Sequence, residues 1–264
     1  MKEVMKMKKI LSLVLILACF ALLLAGCGEK TEIADVTTAA QTTAAQTAAE
    51  TTATPTTVAP AEPQTVLVTI ADKNGEAVLK LAEITATDLD EDGKVTIYEA
   101  LKAAHATCPN GGTDGFAAVE TQYGLSMSKL WGEDNNGNYG YYQNETPAWA
   151  LTDEVHTGDR IVAFSYVDLT GFSDAFCYFN PMIATKPAGE TVEITLTAIF
   201  FDASYAPVPT LVEGAKILVN GVDSGLTTDA EGKVTLTLES GVNEITATSD
   251  TLTLVPPIAK ITVE

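Results

Sequence analysis

The chain reads as an α+β protein in which a mixed sheet covered by one main helix is followed by a second, all-β unit. Three observations predict this. Period-2 alternation of apolar residues starts at Thr65 and recurs through the rest of the chain. Helical spacing of apolar residues occurs in one clear run, Tyr98 to Ala106. Beyond Pro187 the texture is strand and turn with no helical run. At 264 residues the chain is long enough for two modest domains, each with its own core.

The elements follow in chain order. Lys2, Lys6, Lys8 and Lys9 precede an apolar run from Ile10 to Leu24, too short and wrongly flanked for an ordinary membrane-spanning helix. It reads as a secretory signal over residues 1–26. The run ends in Leu24-Ala25-Gly26-Cys27, which resembles the bacterial lipobox. That resemblance implies cleavage before Cys27, lipidation of Cys27, and attachment to the extracytoplasmic face of a bacterial cell membrane. Residues 27–64 are mostly Thr, Ala, Gln, Glu and Pro, a composition that cannot bury enough apolar surface to offset chain entropy. They read as a tether.

A first domain is expected over 65–182. Thr65 to Ile70 and Ala77 to Thr87 flank the turn Asp72-Lys-Asn-Gly75 and read as a β-hairpin. The helix follows, stopped by Pro109-Asn-Gly-Gly112. Strands are then expected at Phe116–Tyr123, Ser126–Trp131, Tyr139–Gln143 and Arg160–Tyr166, separated by turn clusters. Hairpin, helix, then strands is the order of a β-grasp fold. A second domain is expected over 187–264, with strands at Thr191–Phe201, Ala215–Asn220, Lys233–Leu238, Asn243–Ser249 and Ile258–Val263. Regular turns between short strands argue a small β-sandwich. The phrases Gly214–Gly221, Gly225–Gly232 and Gly241–Ala247 resemble immunoglobulin-like or carboxypeptidase-regulatory-like modules of bacterial surface proteins, which serve as spacers or accessory modules.

Charge narrows the partners. The net charge is −20, and removing residues 1–26 takes away four lysines against one glutamate, leaving the mature chain more acidic still. Such a field repels nucleic acid and suits extracellular solubility and cation binding. Of four cysteines, Cys19 leaves with the signal and Cys27 carries lipid, so Cys108 and Cys177 remain. They form either one disulfide, worth roughly 3 to 4.5 kcal/mol for a loop of about seventy residues, or two buried free thiols.

The sharpest local motif is Asp88-Leu-Asp-Glu-Asp-Gly-Lys-Val-Thr-Ile-Tyr-Glu99. It sets Asp88, Asp90, Asp92, Lys94 (through its carbonyl), Thr96 and Glu99 at the ligand positions of an EF-hand-type calcium loop, with Gly93 at the sharp turn. Clustered acids need neutralising, and calcium takes six to eight oxygens. The same residues also make a capping box, Thr96 with Glu99, and acids ahead of a helix are favoured by its dipole without any metal. Since the loop joins a strand to a helix, calcium here is expected to be structural.

Catalysis is not expected. His105 and Cys108 lie three apart with no third ligand near, His156 sits in a polar turn, and no nucleophile elbow or phosphate-cradling loop occurs. The segment Leu130 to Trp149, continuing through Val155-His-Thr-Gly-Asp-Arg-Ile-Val-Ala-Phe-Ser-Tyr166, resembles bacterial extracellular relatives of the C-terminal β-grasp domain of transcobalamin and intrinsic factor. The resemblance covers roughly residues 65–180. It implies a non-catalytic binding protein for a corrinoid or similar ring ligand. Trp131, Asn136, Tyr139, Tyr141, Tyr142 and Trp149 are the candidate contacts, since aromatics with polar handles stack on rings or sugars. Alternatively these aromatics fill the space between sheet and helix, and the protein is a surface adhesion module contacting another protein or a glycan.

Overall fold

The computed structural model describes residues 59–108 and 111–264. The signal segment, Cys27, most of the tether and Pro109-Asn110 lie outside the described residues. The described residues all fall within one compact unit. The architecture is α+β, with one α-helix and several sheets among the described residues.

The first part comprises β1 (Gln64–Ala71), β2 (Ala77–Ala86), α1 (Ile97–Thr107), β3 (Ala117–Thr121), β4 (Gly124–Lys129), β5 (Tyr139–Gln143), β6 (Thr146–Pro147) and β7 (Arg160–Ser165). The sheet runs β2-β1-β7-β5-β6, with β1 and β7 parallel and the other pairs antiparallel, so it is mixed. β3 and β4 form a separate hairpin. The Asp72–Gly75 turn closes the first hairpin through Asp72 N–H to the Glu76 carbonyl at 3.0 Å, with Gly75 at φ 77°.

The helix packs by its expected face. Ile97, Ala100, Leu101 and Ala104 recur at helical spacing and are all fully buried, in one core with Val66, Val68 and Ile70 of β1 and Ile161 and Ala163 of β7. Its end is fixed by glycines: the N–H groups of Gly111 and Gly112 donate to the Cys108 carbonyl at 3.0 and 3.1 Å. No helix among the described residues is long and apolar enough to cross a membrane.

The second part comprises β8 (Ala175–Asn180), β9 (Ile183–Lys186), β10 (Thr191–Phe201), β11 (Pro207–Leu211), β12 (Lys216–Val219), β13 (Val222–Thr227), β14 (Lys233–Thr237), β15 (Gly241–Thr248), β16 (Leu254–Val255) and β17 (Ala259–Val263). One sheet runs β11-β10-β8-β16, with β14 also on β10, and the other runs β13-β12-β15-β17-β9. Their facing residues share one core: Cys177, Phe179, Ile194, Leu196 and Leu236 from the first, Ile217, Ile245 and Ile261 from the second. β8 pairs antiparallel with β10, from Thr195 opposite Asn180 to Ile199 opposite Phe176. Sheet membership therefore changes between Ser165 and Ala175, ahead of residue 182.

A third, smaller cluster of Ala71, Tyr142, Phe164, Phe176, Ile199 and Val255 joins the helix-free face of the first sheet to the outer face of β8 and β10. Tyr142 stacks on Phe176 with ring centroids 3.8 Å apart and planes 11° apart. The two cores are thus welded through aromatic rings.

Candidate functional site

The acidic loop is ordered by its own backbone. Asp88 Oδ2 accepts the N–H groups of Gly93 and Ala61, both at 2.9 Å, and Asp88 Oδ1 accepts that of Asp92 at 3.2 Å. These bonds, that from Ala61 first, hold the Asp88 carboxyl below its ordinary range. Asp92 Oδ1 accepts the Lys94 N–H at 2.9 Å. Glu91 and Gly93 take positive φ, 60° and 89°, which coils the loop back on itself. Ligand atoms of Asp88, Asp90 and Glu99 lie within 4.8 Å of one another. This small acidic cluster could chelate a metal ion. Asp92 is outside the group.

Glu99 also caps the helix. Its Oε2 accepts the Thr96 N–H at 2.8 Å and the Thr96 hydroxyl at 3.1 Å, and its Oε1 accepts the Leu89 N–H. A buried carboxylate, 3% exposed, is thereby satisfied. A carboxylate offers about four lone pairs, so Glu99 keeps one on Oε1 and Asp88 one on Oδ1. Capping and chelation are compatible, and the two readings of this motif hold together chemically.

The loop also has a pairing partner. Val155 N–H donates to the Val95 carbonyl at 2.8 Å, Ile97 N–H to the Asp153 carbonyl at 3.0 Å, and Tyr98 N–H to the Leu151 carbonyl at 2.8 Å. Thr96 and Glu154 form an isolated antiparallel bridge. Two otherwise orphaned N–H groups of the first helical turn are spent on this segment. The loop therefore ties three things: the strand before it, the helix after it, and the 151–155 segment.

The aromatic candidates do not share one face. Trp131, half-buried, closes the C-terminal end of the helix, its ring centroid 5.2 Å from that of His105. The Tyr139 hydroxyl accepts the Asn135 N–H at 2.7 Å and is in reach of the Glu133 and Ser128 carbonyls at 3.1 and 3.2 Å. Tyr141 packs on the helix-side core, whereas Tyr142, the next residue of the same strand, points the other way into the aromatic weld. Burial raises the phenol pKa of both. Trp149 is 77% exposed, and Asn136 is exposed with its N–H donating to Asp134 Oδ1 at 2.7 Å.

The residues that organise this region are others. Buried Asn135 donates through Nδ2 to the Asn138 and Tyr166 carbonyls, at 2.9 and 3.0 Å. Asp159 accepts from Gln143, His156 and Asn144 at 2.8, 2.8 and 2.6 Å, bonds that outweigh burial and hold its carboxyl below the ordinary range. An Asn run and a Gly-Asp turn were visible as turns; which member faces inward depends on contacts far away in sequence.

His105 is fully buried, with Nδ1 2.7 Å from the Leu101 carbonyl and Nε2 accepting the Trp131 N–H at 3.1 Å. That pattern fixes the neutral tautomer with the proton on Nδ1, and burial lowers its pKa. His105 thus covers a helix end and ligates nothing. Cys108 and Cys177 are both free, so the disulfide alternative is corrected. Cys108 ends the helix on the first core, while Cys177 lies inside the second, its thiol donating to the Val255 carbonyl at 3.1 Å. Burial pushes the Cys177 thiol pKa up, which makes it inert.

No family model and no curated protein matches this chain. Among solved structures it is similar to the N-terminal Ig1-2 module of the Drosophila receptor protein tyrosine phosphatase DLAR, at 14% identity over 78% of this chain and 99% of that chain, with a TM-score of 0.25. It is also similar to the N-terminal four Ig domains of Dscam1 isoform 4.44, at 9% identity, covering 40% of this chain and 23% of that chain, with a TM-score of 0.23. The chain spans under a quarter of that Dscam1 chain. TM-scores this low do not establish a shared fold.

Proposed function

We propose that this chain is a non-catalytic, modular surface protein that contacts another protein or a glycan, held to the extracytoplasmic face of a bacterial membrane by lipid on Cys27 and stiffened by calcium. The observation that carries the calcium assignment is the convergence of Asp88, Asp90 and Glu99 within 4.8 Å on a loop tied to the helix start. Asp88, Asp90 and Glu99 would hold the ion, with Asp92, the Lys94 carbonyl and Thr96 as the remaining template positions. Bound there, calcium would neutralise acids gathered at one point of an already acidic protein. Because the loop is bonded to the helix and to 151–155, the ion acts as a pin rather than as the opening switch of a paired calcium sensor.

In this reading the mixed sheet with its helix is a β-grasp module, and the two sheets sharing a core are an immunoglobulin-like module. A corrinoid needs one continuous apolar wall. Trp131, Tyr139, Tyr141, Tyr142 and Trp149 are divided among a helix end, a loop, two opposite sheet faces and open solvent, so adhesion is preferred to ring binding.

Calcium titration calorimetry on the full chain, with Asp88→Ala beside it, tests the assignment. The expected result is a weak extracellular-class site, Kd roughly 0.1 to 1 mM, lost in the variant. Absence of heat in both proteins refutes it.

A further inference from the structure

A cleft of about 470 Å³ lies where the first sheet meets β8 and β9. It is within the size range of small-molecule sites. Leu67, Tyr178, Met182 and Ile183 give it an apolar wall, and Arg160 and Glu145 give it a charged one. Arg160 is the sole arginine of a chain with net charge −20. It stands beside Leu67 in the parallel β1–β7 register, on the face away from the helix.

Glu145 is held there by an uncommon backbone. Asn144 and Glu145 form the two-residue turn between β5 and β6, with φ 48° and 63°. The second position of such a turn favours glycine, and a glutamate occupies it against that preference. Asn144 is clamped to β7, its N–H donating to the Arg160 carbonyl and its Oδ1 accepting the Arg160 N–H, both at 3.0 Å. The turn therefore aims the Glu145 side chain at the Arg160 side chain.

The ion pair is one-sided. Arg160 Nε and Nη2 both donate to Glu145 Oε1, the former at 2.9 Å. A guanidinium has five N–H donors, so its remaining ones, and Glu145 Oε2, have no hydrogen-bond partner among the described residues. Both side chains are half-buried, at 33% and 25% exposure, which limits screening by water. A solvent-accessible cationic donor edge beside a carboxylate oxygen with no protein partner among the described residues, next to an apolar wall, is complementary to a carboxylate beside an ammonium on an apolar body.

We propose that this cleft binds a free α-amino acid with an apolar side chain, its carboxylate on Arg160, its ammonium on Glu145 Oε2 and its side chain on the Leu67–Met182–Ile183 wall.

The test is titration calorimetry of the full chain with L-leucine, L-methionine and L-phenylalanine, and with N-acetyl-leucine and leucinamide, which each lack one charge. At least one free amino acid should bind, and the two blocked forms should bind at least about tenfold more weakly. Arg160→Lys, which keeps the charge but loses the fork, should weaken binding about tenfold. Ile183→Trp narrows the cleft from an exposed position without touching the ion pair, and should do the same while melting like the parent. No heat from any of the three amino acids overturns the proposal. So does equal binding of the blocked forms, or full binding by Ile183→Trp.

Discussion

Replacing Tyr142 tests whether the aromatic hairpin is architecture. Tyr142 and Phe176 are 7% and 3% exposed and their rings lie 3.8 Å apart, so truncating either opens a cavity where the two cores meet. Tyr142→Ala should cost about 3–5 kcal/mol, by analogy with other buried aromatic deletions. In a unit of this size each kcal/mol moves Tm by about 2–4 °C, so the smallest expected drop is about 6 °C. Tyr142→Ala and Phe176→Ala share one contact, and the double variant should fall short of the sum by about 0.5–1.5 kcal/mol. Both tryptophans, Trp131 and Trp149, lie in the first part, so their fluorescence follows that part while far-ultraviolet circular dichroism follows strands of both. Coincident melts are expected in the parent and separated melts in the double variant. A Tyr142→Ala protein that melts within about 1 °C of the parent would refute the reasoning and return Tyr142 to the candidates for ligand contact.

Two further outcomes follow from single positions. Burial lowers the pKa of His105 below 6.5, so the unfolded chain takes up the proton first; stability should be intact above about pH 6.5 and decline as pH falls below it, toward the lower folded-state pKa. Urea midpoints measured between about pH 7.5 and 5 check this, above the range where the aspartates titrate, and a flat profile contradicts a buried neutral His105. Gly140→Ala would place a Cβ 2.3 Å from Phe164 Cζ in the packed weld, and should destabilise by about 1–3 kcal/mol in urea unfolding; a neutral substitution would mean that Phe164 moves freely.

Much of the fold was legible because its signals are local. The first hairpin, the helix, β5, β7 and β10 fall where alternation, helical spacing and turn residues put them, within a residue or two. β8 was missed because Ala175–Asn180 is apolar without alternation: Cys177 and Phe179 face one core while Phe176 faces the weld. β11 and β13 were missed for the opposite reason. They are exposed edge strands with no buried side, and Pro207 and Pro209 are tolerated in β11 because it lies at an edge.

The candidate site divides in the same way. Asp88 to Glu99 could be read because a calcium loop and a capping box are both patterns of spacing. Its tie to Leu151–Val155 could not, because that pairing joins segments more than fifty residues apart. Tyr141 and Tyr142 looked like one aromatic surface in the sequence, yet adjacent strand residues must face opposite ways.

The central claim is that calcium pins the helix start to the sheet and to 151–155. Hydrogen exchange at the amides of Ile97, Tyr98 and Val155, with saturating calcium and with chelator, tests it most directly, because those amides make the bonds that the pin would protect. Calcium should slow exchange at all three in the parent and change nothing in Asp88→Ala. Exchange at these amides that is indifferent to calcium in the parent would contradict the account.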